Sequence, residues 1–199
     1  MKKIFAIVLI VTFTVGQVVL ADSFQKLKDK LNQKGCFYFE FINLIESDIF
    51  DQVDTTYGNA FFASNGMYNI KMGDEQYLYN LKKTYEYSQS NNQVVIENPD
   101  SSNLEEMIFL TKLDKYYKTY IIKPDQKYRL LKKSDIKGDY PDSMIVMIDR
   151  EKVKLKQIDY FDVNNELNRI IFIKQRYHMK CDDNTFEPQF PDSVERVKL

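Results

Sequence analysis

From Phe37 to Ile42 the chain alternates: Phe37, Phe39 and Phe41 take every second position, with Tyr38, Glu40 and Ile42 between them. A period of two sends successive side chains to opposite faces, so this stretch predicts a β-strand with one strongly apolar face. Just before it, Phe24, Leu27 and Leu31 recur at helical spacing with lysines between them. That pattern predicts a short amphipathic helix over 22–34, capped by Asp22 or Ser23 and stopped by Gly35.

Further on, strand-like runs and turn signals follow in close succession. Asn65-Gly66 and Gly73-Asp74 punctuate Tyr57–Ser64, Met67–Met72 and Gln76–Leu81, and Lys82-Lys83 and Ser90-Asn91-Asn92 bracket Thr84–Ser88 and Gln93–Glu97. Short connections between consecutive strands imply an antiparallel meander. Asn98-Pro99-Asp100 then interrupts the pattern. A second helix is predicted from Asn103 as cap, through Leu104, Met107, Ile108 and Leu110, apolar around much of its girth and suited to burial. Strands resume at Tyr116–Lys123, Lys127–Lys132, Asp142–Asp149, Val153–Asp162 and Glu166–Met179, and the tail after Phe186 holds one last short strand. There is no internal repeat and no linker. The expectation is one domain over 22–199, mainly β: an antiparallel, half-open (unclosed) β-barrel with helices covering its cavity, because so long a meander must curl to hide its apolar faces.

The first 21 residues read differently. Lys2 and Lys3 precede an apolar run from Ile4 to Val15, and Val19-x-Ala21 supplies small residues at a cleavage point. This is the pattern of an export signal, and Gly16 and Gln17 end the run too early for a membrane-spanning helix. Asp22, not cysteine, follows the cut, so the mature chain is expected to be free of a lipid anchor. Its expected location is the periplasm. Loss of Lys2 and Lys3 makes it more acidic than the full chain's net charge of −1, which argues against a nucleic-acid partner.

Two cysteines, Cys36 and Cys181, remain. In an exported chain an even count suggests a bridge, the alternative being two unrelated thiols. The single histidine, His178, has no partner motif, and neither Gly-x-Ser-x-Gly nor His-Glu-x-x-His occurs. No catalytic residue, metal site or cofactor is expected. Asp182-Asp183 lacks metal-ligand spacing and reads as a solvated turn.

The chain holds 14 Tyr and 14 Phe and no Trp. Ordinary sheet packing explains such enrichment at any one position. Together, however, the broad apolar side chains exceed what one thin layer needs, and they outline a candidate apolar cavity, which the resemblance described next makes an acyl-chain cavity. Phe37, Phe39 and Phe41 come from the first strand, Phe61 and Met67 from the first hairpin, and Met107 and Ile108 from the second helix. Met144, Val146, Ile171 and Ile173 come from the later strands.

The opening helix followed by Phe37-Tyr38-Phe39-Glu40-Phe41 resembles the start of the LolA-like periplasmic lipoprotein carriers. So does the block from Ala60 to Glu97, with its Asn65-Gly66-Met67-Tyr68 hairpin, Gln76-Tyr77-Leu78-Tyr79 and Lys83-Thr84-Tyr85-Glu86-Tyr87. The ending, Phe186-Glu187-Pro188 with Pro191–Val194, is similar to the family's last segment. The resemblance implies a monomeric carrier that takes acylated lipoproteins from an inner-membrane ABC-type release transporter and passes them to an outer-membrane acceptor. One departure stands out. The family's basic residue and proline before the first hairpin, thought to latch the lid, correspond here to Ser64 and Asn65. A rival reading is therefore an envelope module that senses a lipid or protein without transporting it.

Overall fold

A computed structural model describes residues 22–47, 52–98, 113–136 and 140–199. The segment read as an export signal and the predicted helix carrying Met107 and Ile108 lie outside the described residues. Helix α1 (Ser23–Leu31) begins where Asp22 accepts a hydrogen bond from the Gln25 amide at 2.7 Å, which satisfies one of the free donors of the first turn. Phe24, Leu27 and Leu31 form its buried stripe. Gly35, at φ +127°, then turns the chain into the sheet, a backbone angle that only glycine adopts without strain.

Twelve strands form a single sheet. In chain order they are β1 (Cys36–Ser47), β2 (Gln52–Ala63), β3 (Tyr68–Met72), β4 (Glu75–Tyr79), β5 (Thr84–Ser88), β6 (Gln93–Glu97), β7 (Tyr117–Lys123), β8 (Lys127–Lys132), β9 (Ser143–Asp149), β10 (Lys154–Phe161), β11 (Leu167–Met179) and β12 (Glu195–Lys198). A four-residue helix, α2 (Leu113–Tyr116), leads into β7. The spatial order is β12-β6-β5-β4-β3-β2-β1-β11-β10-β9-β8-β7. Every neighbour is antiparallel except β12, which lies parallel to β6. The sheet does not close, and the fold is the mainly β, unclosed architecture that the alternation predicts.

Two meanders meet where β1 pairs with β11. The sheet curls: side chains from β4 and β10, which a flat sheet would hold about 24 Å apart at 4.8 Å per strand, line one pocket. Helix α1 fills the inner face over the later strands. Its Phe24 stacks on Tyr128 with ring centroids 4.7 Å apart, Ser23 Oγ donates to the Asp125 carbonyl at 2.8 Å, and Lys28 pairs with Asp114 of α2 at 2.9 Å.

Cys36 and Cys181 form a disulfide with their Cα atoms 5.3 Å apart. The bridge sits on the outer face in a small cluster with Ala63 and Phe186. It fixes the start of the C-terminal tail, which then crosses the outer face, sets Phe190 against Tyr85 and Tyr87, and ends as β12 on the far edge.

Candidate functional site

The alternation of β1 continues past the residues that reveal it. Phe37, Phe39, Phe41, Asn43 and Ile45 all face inward, and the inward positions of the flanking strands follow from register: Phe39 opposes Ala60, Phe37 opposes Phe62, and Phe41 opposes both Gly58 and Phe172. Over this part of the sheet, beside α1, the inner face holds a cavity of about 270 Å³. Phe39, Phe41, Phe62, Ile70, Ile170 and Phe172 make most of its apolar wall, and Ile45, Ala60, Met72, Tyr77 and Tyr160 complete it. Phe39 meets Phe62 and Phe172 edge to face, at 6.0 and 5.6 Å between centroids.

A small residue makes this wall possible. A Cβ at Gly58 would stand 2.5 Å from Phe41 Cζ and 2.9 Å from the Lys71 carbonyl oxygen. The missing side chain lets the Phe41 ring lie across β2.

Two amides interrupt the apolar lining. Asn168 Nδ2 donates to Asp162 Oδ2 at 3.0 Å and to the Glu166 carbonyl at 3.2 Å. Asn43 is only 5% exposed, and its Oδ1 accepts no hydrogen bond among the described residues. The contrast with Gln175 is instructive. That buried amide accepts from the Leu155 amide and Tyr177 Oη and donates to the Leu155 carbonyl, healing a bulge in β10.

No lysine or arginine is among the lining residues. The nearby charge is negative. Burial first, then Glu75 and Glu86, push the Tyr77 phenol up, and burial followed by Asp162 does the same to Tyr160. On the inner face of β5, Glu86 is itself raised by partial desolvation and by Glu97 and Glu75.

The sequence-predicted residues divide between the two faces. Phe39 and Phe41 line the cavity. Phe37, Met144 and Val146 face the same side but are fully buried in the core cluster that includes α1. Phe61, Met67, Ile171 and Ile173 do not reach the cavity, which is a correction. Phe61 packs on Tyr38, 4.5 Å between centroids, and borders a polar groove with Asn59, Asn69 and Gln76 on the outer face. Met67 packs beside the disulfide. Ile171 pairs with Ile42 on the outer face, and Ile173, at a bulge of the β1–β11 ladder, is 59% exposed.

The cause is phase. Ile170-Ile171-Phe172-Ile173 and Ala60-Phe61-Phe62-Ala63 carry no polar residue, so their own pattern cannot say which half faces in. Pairing to β1 decides it: Ile170, Phe172, Ala60 and Phe62 are the inward residues. Extending the Phe37-Phe39-Phe41 alternation by two steps would have found Asn43 and Ile45. His178 is an exposed residue at a positive φ, its ring 6.1 Å from Phe37.

No protein-family model matches the sequence, and no curated protein does. Solved structures do. An uncharacterized conserved protein from Thermus thermophilus superimposes with a TM-score of 0.54 at 9% identity, over 89% of this chain and 100% of that one. A LolA superfamily protein from Nitrosomonas europaea gives 0.44 at 7% identity, over 82% of this chain and 97% of that one. The MucA/MucB complex structure of Pseudomonas aeruginosa gives 0.41 at 9% identity, over 89% of this chain and 62% of that one. The likeness to the Thermus protein is one of fold alone.

Proposed function

We propose that the chain is an exported, non-enzymatic carrier that shields an acyl chain, of a lipoprotein or another lipid, in the cavity on the inner face of its sheet. The observation that carries this reading is the cavity itself: about 270 Å³, walled by phenylalanine, isoleucine and methionine, without a cation. Each methylene moved there from water contributes about 0.8 kcal/mol, and an adaptable Met72 beside the aromatic rings suits a grip that must also release. The resemblance noted in the sequence supplies the finer part of the proposal. The periplasm is the compartment, acylated lipoproteins are the cargo, and the route runs from an inner-membrane transporter to an outer-membrane acceptor.

Titration with a fluorescent fatty-acyl probe, followed by transfer of that probe between donor and acceptor vesicles, tests the reading. Saturable binding and accelerated transfer are expected; absence of binding by the folded wild type ends it. Intact mass of the exported protein should place its first residue at Asp22. One observation favours the sensing-module reading instead. At the latch position, Ser64 Oγ accepts from the Gly35 amide across the β1–β2 end and Asn65 Oδ1 from the Met67 amide of its own turn, so both side chains are spent on backbone contacts. Saturable binding without vesicle-to-vesicle transfer would select that module.

A further inference from the structure

The two strands at one end of the sheet, β7 and β8, carry more positive charge than the structure neutralises. On their side away from the buried Tyr128 and Leu130, register sets Lys118 across from Leu131, Tyr120 across from Arg129, and Lys123 across from Lys127. Like charges directly opposite each other destabilise a ladder. Yet Lys118, Lys123, Lys127 and Arg129 form no ion pair among the described residues. The nearby carboxylates are engaged elsewhere. Asp125, in the turn between β7 and β8, accepts from the Ser23 amide at 3.0 Å and lies 3.7 Å from Arg150. Asp149, at the end of β9, accepts from the amides of Glu151 and Lys152, and Asp142, just before β9, pairs with Lys132. Further along the same outer face the cations are matched: Lys174 meets Glu40 at 2.8 Å, and Arg169 meets Glu46 at 2.6 Å.

Apolar groups stand among the unmatched cations. Tyr120 and Leu131 are exposed, and so is Ile122, beside the bulge that precedes Lys123. On β9, Met147 and Ile145 continue the face, opposite Lys127 and Arg129. Such a mixture suits a bilayer interface, where ammonium groups reach the lipid phosphates while their stems and the neighbouring rings lie against less polar layers. The whole chain has a net charge of −1, so its overall field does not draw it to an anionic surface, and any attraction must be local.

A simpler role, guarding the sheet edge, covers only half of the pattern. Lysines and a bulge on an edge strand hinder the addition of another strand. That accounts for Lys118, Lys123 and the bulge, and it also speaks against an extended peptide as the partner. Lys127 and Arg129 lie on β8, one strand in, where no edge needs guarding.

We propose that the outer face of β7 and β8 docks the protein on an anionic phospholipid surface, with Lys118, Lys123, Lys127 and Arg129 over the headgroup phosphates and Tyr120, Ile122 and Leu131 at the interface. This adds a membrane contact to the carrier reading and needs no ligand in the cavity.

Sedimentation of the full exported chain with vesicles, no acyl probe being present, tests the proposal. Binding is expected to vesicles of phosphatidylcholine mixed with phosphatidylglycerol, with much weaker binding to phosphatidylcholine alone and a fall as salt screens the charges. Each cation near such a surface contributes about fivefold in affinity, so Lys123→Gln combined with Lys127→Gln should lose on the order of twentyfold. Lys34→Gln combined with Lys82→Gln removes the same charge from exposed positions outside the patch and should bind as wild type does. Absence of binding by wild type, or equal binding to both vesicle types, overturns the proposal whether or not the variants fold. So does an undiminished affinity in the folded Lys123 and Lys127 variant, or an equal loss in the two double variants. Capture of a glutamate-rich peptide by a wild type that ignores vesicles also overturns it and assigns the patch to an acidic protein. Acyl-probe binding is measured separately, so these failures leave the carrier reading standing, whereas a protein that docks on vesicles without taking up the probe loses that reading and keeps this one.

Discussion

Gly58 lies directly across from Phe41 in the β1–β2 ladder, and a Cβ at that position would come within 2.5 Å of the ring. The backbone carbonyl of Lys71 closes the other side at 2.9 Å and cannot yield easily, so the Phe41 ring is the neighbour that must move. Gly58→Ala is expected to push Phe41 into the cavity and to cost about 1–3 kcal/mol through overpacking. A urea titration measures the stability change, and acyl-probe affinity should fall in the folded variant. Unchanged stability and affinity would mean that Phe41 has room elsewhere.

Adjacent residues of β11 provide a sharper test of which face binds. Ile170 lines the cavity, while Ile171 pairs with Ile42 on the outer face. Ile170→Glu places a carboxylate beside the acyl chain and should abolish probe binding. Ile171→Glu, one position along, should leave it nearly intact. Circular dichroism serves as the folding control, and the opposite ranking would put the site on the outer face.

Much of the fold was legible because polar turns frame the strands. Thr84–Ser88, Gln93–Glu97 and Lys127–Lys132 agree residue for residue with β5, β6 and β8. The far half of β1 and the start of β2 were not legible. Gln52, Asp54, Thr55 and Thr56 carry no apolar alternation; they are held in a strand by their ladder to β1, a tertiary contact that outweighs local preference. The site was half legible for the same reason. Phe37, Phe39 and Phe41 announce their face through the polar Glu40 among them, whereas the all-apolar runs at 60–63 and 170–173 receive theirs from a partner strand.

The disulfide spans a sequence separation of 145, and a cross-link that long restricts the unfolded chain by on the order of 5 kcal/mol if nothing offsets it. Replacing both Cys36 and Cys181 by serine should lower unfolding free energy by about 3–5 kcal/mol. Urea denaturation measures the loss. A thiol assay on unfolded, unreduced wild type should find no free cysteine.

Glu86 provides a pH signature. Its side chain is exposed, and partial desolvation of the carboxyl, then Glu97 and Glu75, raise it above the ordinary 4.5, so the folded chain holds this proton somewhat more tightly than the unfolded one and the effect on stability is small. Stability therefore falls as pH rises from 4.5 through the raised folded value, and the penalty is complete above that window. Glu86→Gln should raise the melting temperature at neutral pH and leave it unchanged well below pH 4.5. A variant less stable at neutral pH would contradict the direction of the shift.

The β1–β11 junction also governs how the molecule comes into being. The cavity wall is supplied by two stretches of chain, 39–77 and 160–172, whose strands pair there. Pairings so distant in sequence form slowly, since the loop between them must close before any contact rewards it. Synthesis from the N-terminus delivers Phe39, Phe41 and Phe62 long before Phe172 arrives to meet them. In that interval the same rings that line the finished pocket are an adhesive surface on a half-made sheet, and the arrival of β11 ends the hazard and completes the cavity wall in one event.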